Sequence, residues 1–461
     1  MVIQLTLVIC DLSFSIILAM KKASFYTYSF GCRVNQAEKE VIDREMQLNG
    51  FSLNRETPDI LIINTCAVTR KAEREAKNLI YRLKRENPEG QIVVTGCSAT
   101  YWKKKNLLKR LPIDLVIDNV NKEFLVKLIQ KKISSQTQHN FGGYVMGGGD
   151  KYLNSGRALI KIQDGCQRFC TYCIVPYLRG APKSYEIKEI VDQIKKLGNL
   201  REVILTAINT EAFGFDTGES LIQLINTILT RSTIPRISFG SIHPWSIDDK
   251  FISYYEQILP LKRLVNFFHI PVQSGSNKIL NLMKRGYVRE KMMKKLNKLD
   301  KINPFALIAT DVIVGFLDET NKDFRDTYDF LERSPISKFH IFKFSKRDNT
   351  AAYYMSKNLK ETTHQEKMKR AKLLEALGKM KYIKFLKKNI GRISTVLTLS
   401  TEFDGYREAL LDNQIPIYIK ATKPIQPGRL YTARILEYKK GKLFGKIVKS
   451  GRLAQLARAL H

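Results

Sequence analysis

Acidic side chains are scarce in this chain: 44 Asp and Glu stand against 77 Lys and Arg, leaving a formal charge of +33 over 461 residues. Such an excess points to a polyanionic partner, because every phosphate that a cation neutralises releases a condensed counterion. The plainer reading is a lysine-rich surface that only keeps the chain dissolved. Long apolar runs are missing too. Met1–Met20 comes nearest, but Asp11 breaks it and no basic region leads it, so it fits neither a membrane span of about 18 residues nor a secretory leader. We expect translation to start at Met20-Lys21-Lys22, with no stable membrane association and a cytoplasmic location. Cysteine is sparse and odd in number, at seven, which argues against a disulfide framework and for a reducing compartment. Six of the seven fall into two groups of three, and Cys10 is left over.

The tighter group is Cys166-Gln167-Arg168-Phe169-Cys170-Thr171-Tyr172-Cys173. Three thiolates on one short loop suit three irons of a [4Fe–4S] cluster. With no fourth cysteine nearby, the last iron stays open to another ligand. Zinc sites ordinarily draw four ligands from paired elements, and that pairing is absent. The spacing, with an aromatic residue before the third cysteine, resembles the signature of the radical S-adenosylmethionine (radical SAM) enzymes. In that family the open iron chelates the methionine part of SAM, and an electron from the cluster cleaves its sulfonium.

The other group lies in an α/β pattern. Candidate strands Ser24–Phe30, Asp59–Asn64, Gln91–Thr95 and Asp114–Ile117 alternate with candidate helices Gln36–Asn49, Arg70–Arg85, Lys104–Arg110 and Lys122–Lys132. Continuous apolar strands of this kind predict a parallel sheet covered on both faces. Cys32, Cys66 and Cys97 each follow a strand, so parallel topology carries all three to one edge, where open α/β folds place their ligands. A second [4Fe–4S] cluster is the expected product; three separate buried thiols acting as small hydrophobes are the alternative. Gly31-Cys32-Arg33-Val34-Asn35-Gln36, Asn64-Thr65-Cys66-Ala67-Val68-Thr69 and Val94-Thr95-Gly96-Cys97 resemble the amino-terminal domain of the radical SAM methylthiotransferases, and the likeness runs from about Ser24 to Val448.

A new alternation of strands and helices begins near Tyr152. Strands are expected at Ala158–Gln163, Glu202–Thr206, Arg236–Phe239, Asn266–Val272, Ala306–Val314 and Phe339–Phe344, with an amphipathic helix at Ser184–Leu197. Six such units suit a partial (βα)6 barrel with its chemistry at the strand carboxyl ends. The resemblance places Tyr172, Asn209, Gln273, Ser274, Gly275 and Asp311 around SAM. The chain departs from the family in carrying Ala207 where relatives usually have Gly, and His243 where they usually have Glu.

Past a long helix at Thr363–Lys388, whose lysines are expected to form a solvated face, five short strands separated by Gly, Pro and Asn predict a small β-barrel. It resembles the RNA-binding TRAM domain. Lys420, Lys423, Arg429 and Arg434 are candidate phosphate contacts, and Tyr406 and Tyr418 are candidate stacking faces. The fold class is thus α/β in three domains: 22–134 with the auxiliary cluster, 150–387 as the radical SAM core, and 388–449 as the TRAM-like barrel. Residues 134–149 read as a linker.

By family resemblance the chain is a tRNA-modifying methylthiotransferase with two [4Fe–4S] clusters and SAM. One SAM would give a methyl group and another the 5′-deoxyadenosyl radical that takes hydrogen from adenosine C2. The segments around Cys32 and Thr69–Ala76 point to N6-threonylcarbamoyladenosine at tRNA position 37. Isopentenyladenosine of tRNA, an aspartate of a ribosomal protein, or a non-catalytic iron–sulfur RNA-binding role are the alternatives. tRNA, a sulfur donor, and a reductant protein such as flavodoxin or ferredoxin are the expected partners.

Overall fold

The computed structural model describes residues 23–134, 155–420 and 424–448. Met1–Ala19, nearly all of the expected linker, Lys423 and Ser450–His461 lie outside the described residues. Two compact units divide the chain, residues 1–148 and 149–461.

In the first unit, β1 (Ser24–Ser29), β2 (Ser52–Leu53), β3 (Ile60–Thr65), β4 (Gln91–Gly96) and β5 (Leu115–Ile117) form one parallel sheet in the order β2-β1-β3-β4-β5. Ile60 and Ile62 of β3 join one core with Phe25, Met46 and Val93, while Leu61 and Ile63 join another with Leu79, Ile80 and Trp102. Both faces of β3 are therefore covered, which is why its apolar run is unbroken. One expected helix is misplaced. The chain turns helical at Cys97–Lys104, not at Lys104–Arg110, where only a 3₁₀ turn at Leu108–Arg110 forms. Gly96, at φ +94°, permits the immediate turn, and buried Trp102 anchors the helix, its indole N–H donating to Glu73 at 2.8 Å.

The second unit contains β6 (Arg157–Asp164), β7 (Lys183–Ser184), β8 (Glu202–Ala207), β9 (Arg236–Phe239), β10 (Phe267–His269), β11 (Leu307–Val314) and β12 (Lys338–Lys343). Strands β6, β8 and β9 pair in parallel, as do β10, β11 and β12; two-residue β7 adds an antiparallel edge to β6. A parallel bridge from Ile237 to Leu264 and the bond from Ile242 N–H to His269 O (2.9 Å) join the two sets into the six-stranded partial barrel. Strand β10 stops earlier than expected, because Pro271 has no N–H to give and Gln273 turns to φ +70°. The Ile187–Lys196 helix buries Ile187, Ile190, Val191 and Ile194 against this core.

Strands β13 (Ile393–Phe403), β14 (Tyr406–Leu411), β15 (Pro416–Lys420), β16 (Leu430–Lys439) and β17 (Lys442–Ile447) close into a barrel in the order β13-β14-β15-β17-β16. This barrel is not a detachable appendage. Val265, Phe267, Leu307 and Ala309 of the larger barrel share one hydrophobic core with Val396, Leu411, Ile417 and Ile435. Buried Arg236 donates to the carbonyls of Leu410 (3.1 Å) and Leu411 (2.6 Å), and Asn413 to that of Phe305 (2.9 Å). The His364–Lys388 helix also departs from expectation, since Lys367 and Arg370 are buried. Lys381 donates to the carbonyls of Leu331, Glu332 and Ser334 at the end of the Asn321–Arg333 helix. Burial pushes its pKa down to about 8.

Candidate active site

The loop that carries Cys166, Cys170 and Cys173 leaves the end of β6 and is clamped at both ends. Cys166 N–H donates to Gly180 O (3.1 Å), and Arg179 donates to both carboxylate oxygens of Asp164, at 2.8 and 2.9 Å. Gly165, at φ +72°, makes the closure possible; a Cβ there would lie 2.0 Å from Ala181 O. Thr171 is tied down on three sides, to Met283 O (3.1 Å), to Leu282 O (2.8 Å) and from Ala352 N–H (2.7 Å). None of the three cysteines is in a disulfide. Burial pushes the Cys173 thiol up to about 12, helped by the neighbouring Cys170, and burial raises Cys166 as well. Two thiols, Cys166 and Cys173, that resist ionising by themselves fit a site completed by iron, which takes the place of their protons. An amide N–H (Arg168 to Cys166 Sγ, 3.5 Å) and the Arg285 guanidinium (to Cys170 Sγ, 3.4 Å) supply donors to the sulfurs.

Around this loop the SAM candidates separate into two kinds. Asn209 follows β8 and is 1% exposed; its backbone N–H donates to Gln163 (2.9 Å), while its side-chain Nδ2 has no partner among the described residues. A buried amide donor left open in this way fits a bound polar ligand. Tyr172 packs beside Met283 and Phe316, with its hydroxyl accepting from Arg285 at 3.2 Å. Ser274 and Gly275 are instead engaged by the Asn321–Arg333 helix. The Ser274 hydroxyl meets Thr327 at 3.1 Å, and a Cβ on Gly275 would lie 2.6 Å from that of Phe330. Gln273 shapes the turn between them and Asp311, whose carbonyl accepts from its N–H at 2.9 Å.

Asp311 Oδ1 lies 2.9 Å from His269 Nε2 and 3.2 Å from His340 Nδ1, and the Ser241 hydroxyl lies 2.7 Å from His269 Nδ1. Burial raises the Asp311 pKa, but the two histidines outweigh it and hold the carboxylate well below its usual range. The three ligand atoms lie within 4.8 Å of one another, from the ends and middles of β10, β11 and β12. Sequence reading found Asp311 but not His340, whose alternation on an edge strand carries no signal of its own. His243 accepts from Thr210 N–H through Nδ1 (3.2 Å), and burial, with the nearby Arg285 charge, holds its pKa down to about 3, so it is neutral.

In the first unit, Cys32 and Cys97 stand at the amino ends of the Arg33–Leu48 and Cys97–Lys104 helices. Cys66 follows β3. Gly31, at φ +86°, presses so close that a Cβ would lie 2.4 Å from Cys66 Sγ, which draws two of the strand ends together. Beneath them runs a buried polar network absent from the sequence reading. Asn35 donates to Phe30 O (2.8 Å) and Thr65 O (2.9 Å), Asn64 donates to Asn35 O (2.9 Å), and Lys122 reaches Glu38 (2.6 Å) and Asn64 (3.2 Å). Asn119 donates to Cys97 Sγ at 3.6 Å.

On the small barrel, Lys420, Arg429 and Arg434 are exposed. Tyr406 and Tyr418 lie against Phe444 with ring centroids 5.2 and 5.8 Å apart, and Lys442 sits 4.4 Å from the Tyr418 ring and 4.3 Å from that of exposed Phe403. Phe403, Phe444 and Lys442 thus join the two tyrosines in one cluster of rings and cation. No described helix is long and apolar enough to cross a membrane.

Residues 24–118 match Uncharacterized protein family UPF0004, and residues 160–331 match the Radical SAM superfamily. The chain is 34% identical to the threonylcarbamoyladenosine tRNA methylthiotransferase MtaB of Aquifex aeolicus, over 84% of this chain and 98% of that one. It is 32% identical to the MtaB of Rickettsia prowazekii, over 90% and 95%. A third relative, the tRNA-2-methylthio-N(6)-dimethylallyladenosine synthase of Pelotomaculum thermopropionicum, is 33% identical over 74% of this chain and 79% of its own. Among solved structures, it is similar to the cobalamin-dependent S-adenosylmethionine radical enzyme OxsB, with a TM-score of 0.46 and 14% identity over 75% of this chain and 56% of that one. Fold and site thus define a radical SAM enzyme, which by family uses SAM and an iron–sulfur cluster. The chain belongs to the radical SAM methylthiotransferases, in their MtaB branch.

Proposed function

We propose that this enzyme inserts a methylthio group at C2 of N6-threonylcarbamoyladenosine at position 37 of tRNA, using two [4Fe–4S] clusters and SAM in the cytoplasm. The observation that carries the reading is the pair of three-cysteine sites, one in each unit, in a chain whose relatives bear that activity in their names over nearly their whole length. When bound, the cluster at the second site would supply the electron that splits SAM, and the one at the first site would present sulfur that a separate donor provides. Cys166, Cys170 and Cys173 would hold the former and leave one iron open; Cys32, Cys66 and Cys97 would hold the latter. Asn209 offers its buried amide to SAM, Tyr172 lines the same region, and Gln273, Ser274 and Gly275 set the turn that bounds it. The protein's part is to bind, orient and exclude water, while the cofactors do the hard chemistry. tRNA would meet the exposed cations and aromatic rings of the barrel, read here as TRAM-like, with 22–134, 150–387 and 388–449 as the three domains. A flavodoxin- or ferredoxin-like protein would deliver the electrons.

Nucleoside mass spectrometry of tRNA from a deletion strain tests this. The 2-methylthio derivative should vanish while N6-threonylcarbamoyladenosine accumulates. Loss of the methylthio group from isopentenyladenosine would move the substrate within the family. No change in any tRNA nucleoside would favour the ribosomal-protein aspartate or a non-catalytic RNA-binding role. Reconstituted protein should hold about eight irons, as two [4Fe–4S] clusters require.

A further inference from the structure

Arg285 is 3% exposed, and among the described residues no carboxylate pairs with it. Burying a guanidinium without an opposite charge is costly, so the missing charge has to be found nearby. Each nitrogen of its fork is directed. Nη1 donates to Cys170 Sγ (3.4 Å) and Tyr172 Oη (3.2 Å), Nη2 to the Pro271 carbonyl (2.7 Å), and Nε to Tyr287 Oη (3.2 Å). The flat faces are covered by rings, with the guanidinium carbon 4.4 Å from the centre of Trp245 and 5.5 Å from that of Tyr287. Trp245 Nε1 in turn donates to Arg285 O at 2.9 Å, and Tyr287 Oη to Val272 O at 2.9 Å. Its neighbour on Trp245 makes the contrast plain. Arg168 also lies 4.4 Å from that ring, but Glu211 neutralises it through Nε at 2.6 Å.

We propose that Arg285 is the built-in counter-ion of the cluster held by Cys166, Cys170 and Cys173, and that its charge sets that cluster's reduction potential. The reduced cluster carries one more negative charge than the oxidised one, so a fixed cation beside a sulfur ligand favours reduction. The reductant loses one electron, the cluster gains one, and no proton moves at Arg285, whose guanidinium stays charged throughout. The inference rests on the cluster assignment made above.

The test uses the full chain with Cys32, Cys66 and Cys97 replaced by Ala, reconstituted with iron and sulfide so that a single cluster reports. Dithionite titration followed by electron paramagnetic resonance gives its midpoint. Arg285→Met should lower the reduced-to-oxidised ratio at fixed potential about tenfold, which for one electron is a shift of about 59 mV to more negative values. Arg285→Lys should recover at least half of that shift, and Arg168→Met should move the midpoint far less. An unchanged midpoint in Arg285→Met, or an equal shift in Arg168→Met, overturns the proposal. If Arg285→Met takes up no iron, Arg285→Lys decides: a loaded cluster within threefold of the parent ratio supports it, and a tenfold loss or an unloaded cluster overturns it. A parent protein that binds no cluster would count against the cluster assignment instead.

Discussion

Cys166, Cys170 and Cys173 lie on a single clamped loop, whereas Cys32, Cys66 and Cys97 follow the ends of three parallel strands. The first arrangement is closed by local bonds, the Cys166–Gly180 backbone pair and the Arg179–Asp164 ion pair, and pinned at Thr171 by Met283, Leu282 and Ala352. The second depends on parallel register, with Asn64 opposite Thr95 and Thr65 opposite Gly96, and on the buried network of Asn35, Asn64, Glu38 and Lys122. The electrostatic support differs as well: a buried guanidinium with no carboxylate partner among the described residues stands beside one set, and two helix amino ends beside the other. The spacing of Cys166, Cys170 and Cys173 is set within one loop; that of the other three is set by the sheet.

The sharpest way to break the comparison is to remove ligands. Replacing any of Cys166, Cys170 or Cys173 by Ala should abolish reductive SAM cleavage, read as 5′-deoxyadenosine by chromatography. The triple Ala replacement of Cys32, Cys66 and Cys97 should halve the iron and leave that cleavage in place. Normal 5′-deoxyadenosine from Cys170→Ala, or loss of all iron from the triple variant, would show that the two sites are not what and where we assign them.

Glycine substitutions sharpen it further. Gly31→Ala drives a Cβ toward Cys66 Sγ, and Gly165→Ala drives one into Ala181 O, both at positive φ. Each should cost about 1–3 kcal/mol of local strain. Iron analysis should show the first variant losing the first unit's cluster while SAM cleavage persists, and the second losing SAM cleavage. The reverse pattern would refute the assignment of backbone roles.

A smaller effect is expected on the barrel. Because it shares a core with the larger barrel, deleting it would expose Phe267 and Leu307, so surface substitutions are the cleaner test. Changing Lys420, Arg429 and Arg434 together to Gln should reduce the slope of log affinity for tRNA against log salt by about 2–3, at roughly 0.7–0.9 per phosphate contact. An unchanged slope would place the RNA elsewhere.

The last concerns pH and shows only in acid. The His243 pKa is depressed in the folded state, to about 3 against 6.5, so between these values the unfolded chain binds more protons. Stability should therefore fall as pH drops from about 6.5 toward 3, and His243→Gln should flatten that part of the thermal-unfolding profile. An unaltered profile would mean that the neutral imidazole contributes nothing.

Much of this was legible in the residues. Apolar runs marked four of the five strands of the first sheet within a residue or two, missing only the two-residue edge strand Ser52–Leu53, and spacing alone singled out the loop at Cys166. The missed helix at Cys97–Lys104 turned on the left-handed backbone of Gly96, which composition does not display. The lysines of His364–Lys388 read as solvated because the carbonyls of Leu331, Glu332 and Ser334 that receive Lys381 lie far away in sequence. Arg285 carried no mark at all: its meaning comes from Cys170, Trp245 and Tyr172, and from the lack of an acid beside it among the described residues.

The sequence by itself determined the parallel α/β pattern, the local cysteine loop and the basic charge, since each depends on periodicity, short spacing or composition. Only the tertiary structure decided which polar groups are buried, which lack a counter-charge, and that the small barrel shares a core with the larger one. Those are properties of contacts between segments distant in the chain, and burial is what turns an ordinary Arg or His into a group with a fixed charge state and a fixed direction.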